Sequence, residues 1–275
     1  MRLLKFRGAD GLLLSCIDYG GEGGVPVLLM HGAAAHSRWW DFTAPALTER
    51  YHVLALDRRG HGDSQWSDSG QYEIEDYAAD LHAVIGNWGL GRPFLAAHSG
   101  GGLPSIMYAA RYPQNVRGLV LMETRPVYDE DMVARMRNRE QRPPRTFASL
   151  SAARASFRLT PPTVGAPPEM VEHLAQHSFR QLADGKWINK LDRRTARRLH
   201  AFDGIQWMTR VTCPVLVVRA QRSNMVEPEA SERLAAAAHG ALIEIPNAEH
   251  QVILDSAGEV IRILRQFLGG VDESR

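Results

Sequence analysis

The sequence has few cysteines, no long apolar run and almost no net charge, and each shortage excludes a class of protein. Only two of its 275 residues are cysteine, without a CxxC motif, so Cys16 and Cys213 predict neither a disulfide nor a cysteine-based metal or redox site. No apolar run approaches the roughly 20 residues that span a bilayer, and the first residues show no cleavage-site pattern. A net charge of +1 argues against a general binder of nucleic acid. We therefore expect a cytoplasmic protein, a monomer or homodimer, that acts on a small molecule.

Strand-like and helix-like patterns alternate along most of the chain. This alternation predicts an α/β fold with a mostly parallel sheet covered by helices on both faces. The expected strands lie at about 3–6, 11–19, 26–30, 52–57, 93–98, 116–122, 214–219 and 241–245. The expected helices lie at about 38–49, 74–88, 101–112, 228–238 and 256–268.

The most informative segment is Phe94–Gly102, a short apolar strand that runs into the sequence His98-Ser99-Gly100-Gly101. A serine between small residues, after a strand and before a helix, is typical of a nucleophile elbow. The tight turn requires small neighbours two positions away, and Ala97 and Gly101 meet that requirement. Ala97 nevertheless departs from the first glycine of the usual G-x-S-x-G pattern.

Three further motifs accompany this segment. A buried strand runs into His31-Gly32-Ala33, another runs into Asp57–Ser64, and a late strand leads into Asn247–His250. In this order and at these distances, the motifs resemble those of the α/β-hydrolase family from about residue 10 to the last helix. The resemblance implies an eight-stranded α/β-hydrolase fold.

The regular alternation breaks between residues 126 and 208. Three proline pairs, at 143–144, 161–162 and 167–168, separate amphipathic stretches such as 169–183 and 193–201, which predicts short helices joined by rigid turns. Many members of the family insert a helical cap after the sixth strand, so we interpret 126–208 as a cap subdomain and 1–125 with 209–275 as the core. Residues 125–210 hold 14 Arg and 2 Lys against 9 acidic residues. This positive charge either favours anionic substrates or is solvated and paired with the core.

The resemblance assigns roles to individual residues. Ser99 is the candidate nucleophile and His250, which follows the last strand, is the candidate base. The backbone N–H groups of Ala33 and Gly100 are the candidate oxyanion donors. Trp39 and His98 are candidate residues of the substrate pocket.

The acid of the triad is the point at which the sequence departs from the commonest family pattern. That pattern places an aspartate in the loop after strand 214–219, where this chain has Ser223. A second location used in the family is the end of the strand after the nucleophile helix, and Glu123 occupies it. Glu123 is therefore our candidate acid, and Glu227 or a Ser–His dyad without an acid are the alternatives.

These residues predict a serine hydrolase that cleaves a carboxylic ester, open-chain or cyclic (a lactone), through an acyl-enzyme. Neither a metal ion nor an organic cofactor is required by this chemistry. Two other classes remain open: a cofactor-free oxygenase or perhydrolase on the same scaffold, and a non-catalytic ligand receptor.

Overall fold

Eight strands form one large sheet in the computed structural model of the chain, which describes residues 1–140 and 143–273. The other five strands that it describes are short and lie between residues 127 and 203. In chain order the strands are β1 (Arg2–Arg7), β2 (Leu13–Gly20), β3 (Val25–Met30), β4 (Tyr51–Leu56), β5 (Phe94–His98), β6 (Gly118–Met122), β7 (Val127–Tyr128), β8 (Thr146–Phe147), β9 (Phe179–Gln181), β10 (Trp187–Asn189), β11 (Phe202–Asp203), β12 (Val215–Ala220) and β13 (Ala241–Ile245).

The large sheet has the order β1-β2-β4-β3-β5-β6-β12-β13. The β1–β2 and β2–β4 pairs are antiparallel, and the remaining pairs are parallel. Alternate residues of each central strand enter different cores: Leu28 packs into one and Leu29 into the other. Since both faces are buried, the central strands are continuous apolar runs, and the predicted mostly parallel sheet with helices on both faces is confirmed.

Helices cover both faces of this sheet. The helices that the structure describes are α1 (Ile74–Trp88), α2 (Gly102–Arg111), α3 (Glu130–Glu140), α4 (Leu150–Ala155), α5 (Pro168–His177), α6 (Gly204–Met208), α7 (Pro228–Ala237), α8 (Val252–Asp255) and α9 (Ala257–Glu273), of which α3 to α6 lie between β6 and β12. Among the described residues, none of the helices combines the length and the apolar character that a bilayer span requires.

The prediction of a helix at 38–49 is wrong. Two single 3-10 turns, Ser37–Trp40 and Ala44–Leu47, occupy that segment. Pro45 lies in the second turn, and its ring and missing N–H are incompatible with the interior of an α-helix. The apolar side chains that suggested a helix are nevertheless buried, because two short turns can point them into the core as well.

The sequence predicted short helices joined by turns for the segment between β6 and β12. The structure shows that this segment also contains strands. It contains α3 to α6, together with a three-stranded antiparallel sheet of order β8-β10-β9 and a two-stranded pair of β7 and β11. The predicted amphipathic stretch 169–183 divides into α5 and β9. Strands of two or three residues are too short to show a period in the sequence, which explains why they were missed. The chain leaves the main sheet after the sixth strand, and the division into core and cap at 126 and 208 stays a prediction.

Candidate active site

Ser99 lies in a sharp turn between β5, which ends at His98, and α2, which begins at Gly102. Its φ of 50° is in the left-handed region, which is unfavourable for a residue with a Cβ and indicates a constrained turn. A Cβ at Gly101 would lie 2.8 Å from the carbonyl oxygens of two residues at the end of β3 and just after it. Ala97 is fully buried. Glycine at position 101 is therefore required by the close approach of backbone, and Ala97 packs as a small buried side chain.

His250 lies in the loop between β13 and α8, beyond the same end of the sheet as Ser99. Its Nε2 is 2.9 Å from Oγ of Ser99 and its Nδ1 is 2.9 Å from Oε2 of Glu123. Nδ1 therefore carries the proton that is donated to the carboxylate, and Nε2 is free to accept the serine proton. The structure thus brings together the serine, the histidine and the glutamate that the sequence suggested.

Glu123 follows β6 directly and is 1% exposed. Its Oε1 accepts a hydrogen bond of 2.6 Å from the N–H of Ala220, and its Oε2 accepts one from the hydroxyl of Ser223. Ser223 occupies the position at which the commonest pattern has its aspartate, and here it supports the carboxylate instead. The sequence does not indicate this supporting contact, since a serine in that loop carries no signal of its partner. The alternative acid, Glu227, is the N-cap residue of α7, and Nδ1 of His250 bonds to Glu123.

The loop after β3 lies against the nucleophile turn. A Cβ at Gly32 would lie 3.2 Å from Cβ of Ser99, and a Cβ at Gly100 would lie 3.0 Å from the backbone nitrogen of Ala33. Within residues 1–140 and 143–273, the N–H of Ala33 has no hydrogen-bond acceptor. Two backbone donors, on Ala33 and Gly100, are therefore close to Ser99, as an oxyanion hole requires.

A cavity of about 470 Å³ adjoins this loop and is lined by residues of both the core and the segment 126–208. Ala33, Ala34 and Trp39 form its core side. Trp39, which the sequence predicted to face the pocket, lies in this lining. The neighbouring Trp40 is fully buried in the core.

His98, the other candidate pocket residue, lies outside the lining of this cavity. It is buried, and its Nε2–H donates a hydrogen bond of 2.8 Å to the carbonyl oxygen of His250. Successive residues of a strand point to opposite sides of the sheet, so the side chain next to Ser99 reaches under the His250 loop rather than into the pocket. His98 therefore supports the loop that carries His250.

Comparison with known proteins identifies the family to which the fold belongs. The family model for the alpha/beta hydrolase fold matches residues 25–257. The chain belongs to the α/β-hydrolase fold family. It is 26% identical over 252 residues to the 2-(acetamidomethylene)succinate hydrolase of Mesorhizobium japonicum. The match covers 90% of this chain and 89% of that protein. It is 28% identical over 269 residues to the esterase Rv0045c of Mycobacterium tuberculosis, covering 93% and 86% of the two chains.

A solved structure shows the same fold. The crystal structure of E-2-(acetamidomethylene)succinate hydrolase superposes with a TM-score of 0.82 and 24% identity, over 98% of this chain and all of the other. In this member of the α/β-hydrolase fold family the large sheet therefore follows the family plan.

Replacing Gly100 by alanine should lower activity on every ester, small or large. A Cβ there would meet the Ala33 nitrogen at 3.0 Å and the Ala33 side chain at 3.3 Å, so the loop that carries one oxyanion donor must move. Loss of one such donor costs roughly 10² to 10³ in kcat, and we expect a fall of at least about tenfold from partial displacement. Steady-state kinetics on acetyl and longer esters measure it, with Gly86→Ala as the control because a Cβ at Gly86 meets nothing within 4 Å. An unchanged kcat in Gly100→Ala would contradict a role for this N–H.

Four buried histidines should make the protein acid-sensitive. Burial lowers the pKa of His31 and His61 well below the usual value, and lowers the pKa of His36 and His98 to about 3. Below about pH 6.5 the unfolded chain binds protons at these positions and the folded chain does not, so stability is lost as the pH falls from about 6.5 towards 3. Each excess proton contributes roughly 1.4 kcal/mol per pH unit. Burial raises the pKa of Asp57 to about 6, which offsets one of these protons between about pH 6 and 4.

Urea denaturation between pH 7 and pH 5 measures this dependence. The free energy of unfolding should fall over that range, and His36→Asn should fall less steeply because one buried histidine is absent. His36 bonds to Ser178, at 2.9 Å, and makes no contact with the candidate triad. Equal slopes in the two proteins would show that His36 titrates normally in the fold.

Proposed function

We propose that this protein is a serine hydrolase that cleaves carboxylic esters, open-chain or cyclic, through an acyl-enzyme. The observation that carries the proposal is the pair of 2.9 Å hydrogen bonds that join Ser99, His250 and Glu123. A serine, an imidazole and a carboxylate joined in this order are the groups that acyl transfer uses.

The geometry supports the following sequence of steps. Oγ of Ser99 attacks the ester carbonyl carbon while Nε2 of His250 takes the serine proton. Glu123 stabilises the imidazolium through the Nδ1–H bond, and the N–H groups of Ala33 and Gly100 bind the oxyanion. The imidazolium then protonates the departing alkoxide, and a water molecule activated by His250 hydrolyses the acyl-enzyme.

The relatives support hydrolysis, but their names do not agree on one class of substrate. One relative is named as an esterase and another as a hydrolase of 2-(acetamidomethylene)succinate. Hydrolysis is therefore the reaction class that these relatives favour, and esters are our choice among its substrates because a relative that covers most of this chain is named for them.

A panel of 4-nitrophenyl esters of increasing acyl length, with a set of lactones alongside, tests the proposal. Rapid mixing with a reactive ester should release a burst of 4-nitrophenolate close to one equivalent per protein, because the acyl-enzyme accumulates when deacylation is slower. Hydrolysis in the panel with Ser99 as the acylated residue supports the proposal.

Two other results would favour the other classes. Oxygen uptake with an organic substrate, or peracid formation from an ester and hydrogen peroxide in preference to hydrolysis, would favour an oxygenase or perhydrolase. Tight binding of a ligand with no turnover across the panel would favour a receptor. Either result would overturn the ester-hydrolase proposal.

A further inference from the structure

The cavity beside the oxyanion loop has an unusual charge distribution. Three arginines line it, Arg145, Arg158 and Arg193, and its described lining contains no aspartate or glutamate. Because Ala33 belongs both to this lining and to the candidate oxyanion hole, the cavity adjoins the loop that carries one of the candidate oxyanion donors. The charged side chains that line the described part of this cavity are therefore all positive.

In the part of the chain that the structure describes, neither Arg145 nor Arg158 forms an ion pair with a carboxylate; their contacts are with backbone carbonyls and an aromatic ring. Arg158 is exposed, and its Nη1 donates to the backbone carbonyl of Ala155 at the end of α4, at 2.9 Å, and to that of Phe157, at 2.6 Å. Arg145 is exposed, and its guanidinium carbon lies 5.3 Å from the centroid of the Phe147 ring. The carbonyls contact one end of the Arg158 guanidinium, and the Phe147 ring contacts that of Arg145. Both side chains thus have N–H groups left to donate to a ligand in the cavity.

We propose that this site selects substrates that carry a carboxylate in addition to the acyl group that is cleaved. Guanidinium groups bind carboxylates through charge-assisted and often bidentate hydrogen bonds. Apolar side chains of the same cavity, such as Phe147 and Phe157, accommodate the carbon chain between the two ends. The inference rests on the proposed hydrolase function and specifies its substrate class.

Matched pairs of esters test the inference. On the acyl side, 4-nitrophenyl hydrogen glutarate is compared with 4-nitrophenyl valerate; on the alcohol side, 3-acetoxybenzoate is compared with its methyl ester. The acidic member of at least one pair should have a kcat/KM about tenfold higher or more, and the preference should shrink as salt is added.

The double variant Arg145→Gln/Arg158→Gln should abolish this preference by raising KM for the acidic member of a pair much more than KM for the neutral member. Arg154→Gln is the matched control, since Arg154 lies in the same segment but is paired with Glu172. A wild-type protein that prefers the neutral members of both pairs, or a preference that survives in the double variant, would overturn the inference.

A binding measurement separates this inference from the hydrolase proposal. Calorimetry with the Ser99→Ala protein should show glutarate binding that the double substitution weakens by about tenfold, whether or not either ester is hydrolysed. If glutarate binds but no ester acylates Ser99, the hydrolase proposal fails alone. If esters are cleaved and glutarate does not bind, the inference on substrate class fails alone.

A different observation concerns Arg58, which is 5% exposed and lies behind the oxyanion loop. Its Nη2 donates to the carbonyl of Gly32 at 2.9 Å and its Nη1 donates to the carbonyl of Gly100 at 3.0 Å. No carboxylate hydrogen-bonds to it within residues 1–140 and 143–273, and its guanidinium lies 4.9 Å from the centroid of the Tyr77 ring. Burial raises the pKa of Tyr77, so that ring stays neutral. Arg58 is therefore a buried cation without a counter-ion among the described residues.

The carbonyl of Gly32 and the N–H of Ala33 belong to one peptide unit. The same carbonyl also lies 2.8 Å from Nδ1 of His31. This ring nitrogen carries a proton, because Nε2 of His31 accepts the N–H of Arg58 at 3.1 Å. Donors on the carbonyl side of an amide polarise it and strengthen hydrogen bonds made by its N–H.

We infer that Arg58 is a positioning residue that polarises the Ala33 donor and supplies positive potential to the oxyanion. This inference also rests on the proposed function. Arg58→Met should lower kcat by roughly tenfold to a hundredfold with KM almost unchanged, because the effect appears when the oxyanion forms. Arg58→Lys keeps the charge and should recover most of the loss.

Affinity for a boronic acid, which forms a tetrahedral adduct on an active serine, should fall in Arg58→Met by the same factor as kcat. Arg59→Met is the control, because the neighbouring Arg59 is paired with Asp80 and Asp10. This variant should lower Tm and leave kcat of the folded protein almost unchanged. Equal losses in Arg58→Lys and Arg58→Met, or a loss in KM alone, would show a purely structural role. Labelling of Ser99 by a fluorophosphonate in wild type tests the hydrolase proposal separately.

Discussion

Ser99→Ala should lower kcat for ester hydrolysis by about 10⁵-fold or more, since loss of the nucleophile in a triad removes nearly all of the covalent pathway. The residual rate should come from the oxyanion donors and from binding alone. KM for a good ester should change little, because the hydroxyl makes its main contact with His250.

Stability separates this effect from a damaged fold. Ser99 has a φ of 50°, which glycine adopts at no steric cost. Ser99→Gly should therefore be as inactive as Ser99→Ala and yet unfold at an equal or higher temperature. A Ser99→Ala protein that retains turnover would contradict the nucleophile assignment.

Glu123→Gln should lower kcat by roughly 10³- to 10⁴-fold, because an orienting acid that loses its charge no longer stabilises the imidazolium. Oε2 accepts bonds from His250 and Ser223, and Oε1 accepts one from the N–H of Ala220. A glutamine amide has one oxygen only, so either orientation places its NH₂ group against a donor. The histidine should then adopt the wrong tautomer or turn away.

Two matched variants show whether the charge of Glu123 is the cause. Glu227→Gln removes the alternative carboxylate and should leave kcat within about twofold of wild type. Ser223→Ala removes one supporting bond and should cost about tenfold at most. Near-normal turnover in Glu123→Gln, or an equal loss of kcat in Glu227→Gln, would contradict the assignment of Glu123 as the acid of the triad.

Much of the core could be predicted from the sequence because its signals are local. The strand β5 before Ser99 and its neighbours in the sheet, β3 and β6, are continuous apolar runs. Small residues surround Ser99 where a tight turn needs them. Glu123 could be suggested because it ends a strand at the same edge as Ser99, and parallel strands bring such ends together.

The remaining features depend on contacts between distant parts of the chain. The hydrogen bond from Ser223 to Glu123 joins residues 100 positions apart, and nothing in the loop around Ser223 indicates it. Arg58 follows β4 as one of two adjacent arginines, and only the structure shows that Arg59 has carboxylate partners while Arg58 bonds to backbone carbonyls. The strands β8 to β10 pair across separations of up to about 40 residues, which local periodicity cannot show.

The most direct test of the central claim is to map the adduct of a fluorophosphonate probe by peptide mass spectrometry. The probe phosphonylates a serine only where a base activates the hydroxyl and donors stabilise the developing charge. We predict one adduct per chain, on the peptide that contains Ser99, formed far more slowly in Glu123→Gln and absent in Ser99→Ala. An adduct on another residue, or an unmodified protein that still hydrolyses esters, would contradict the account.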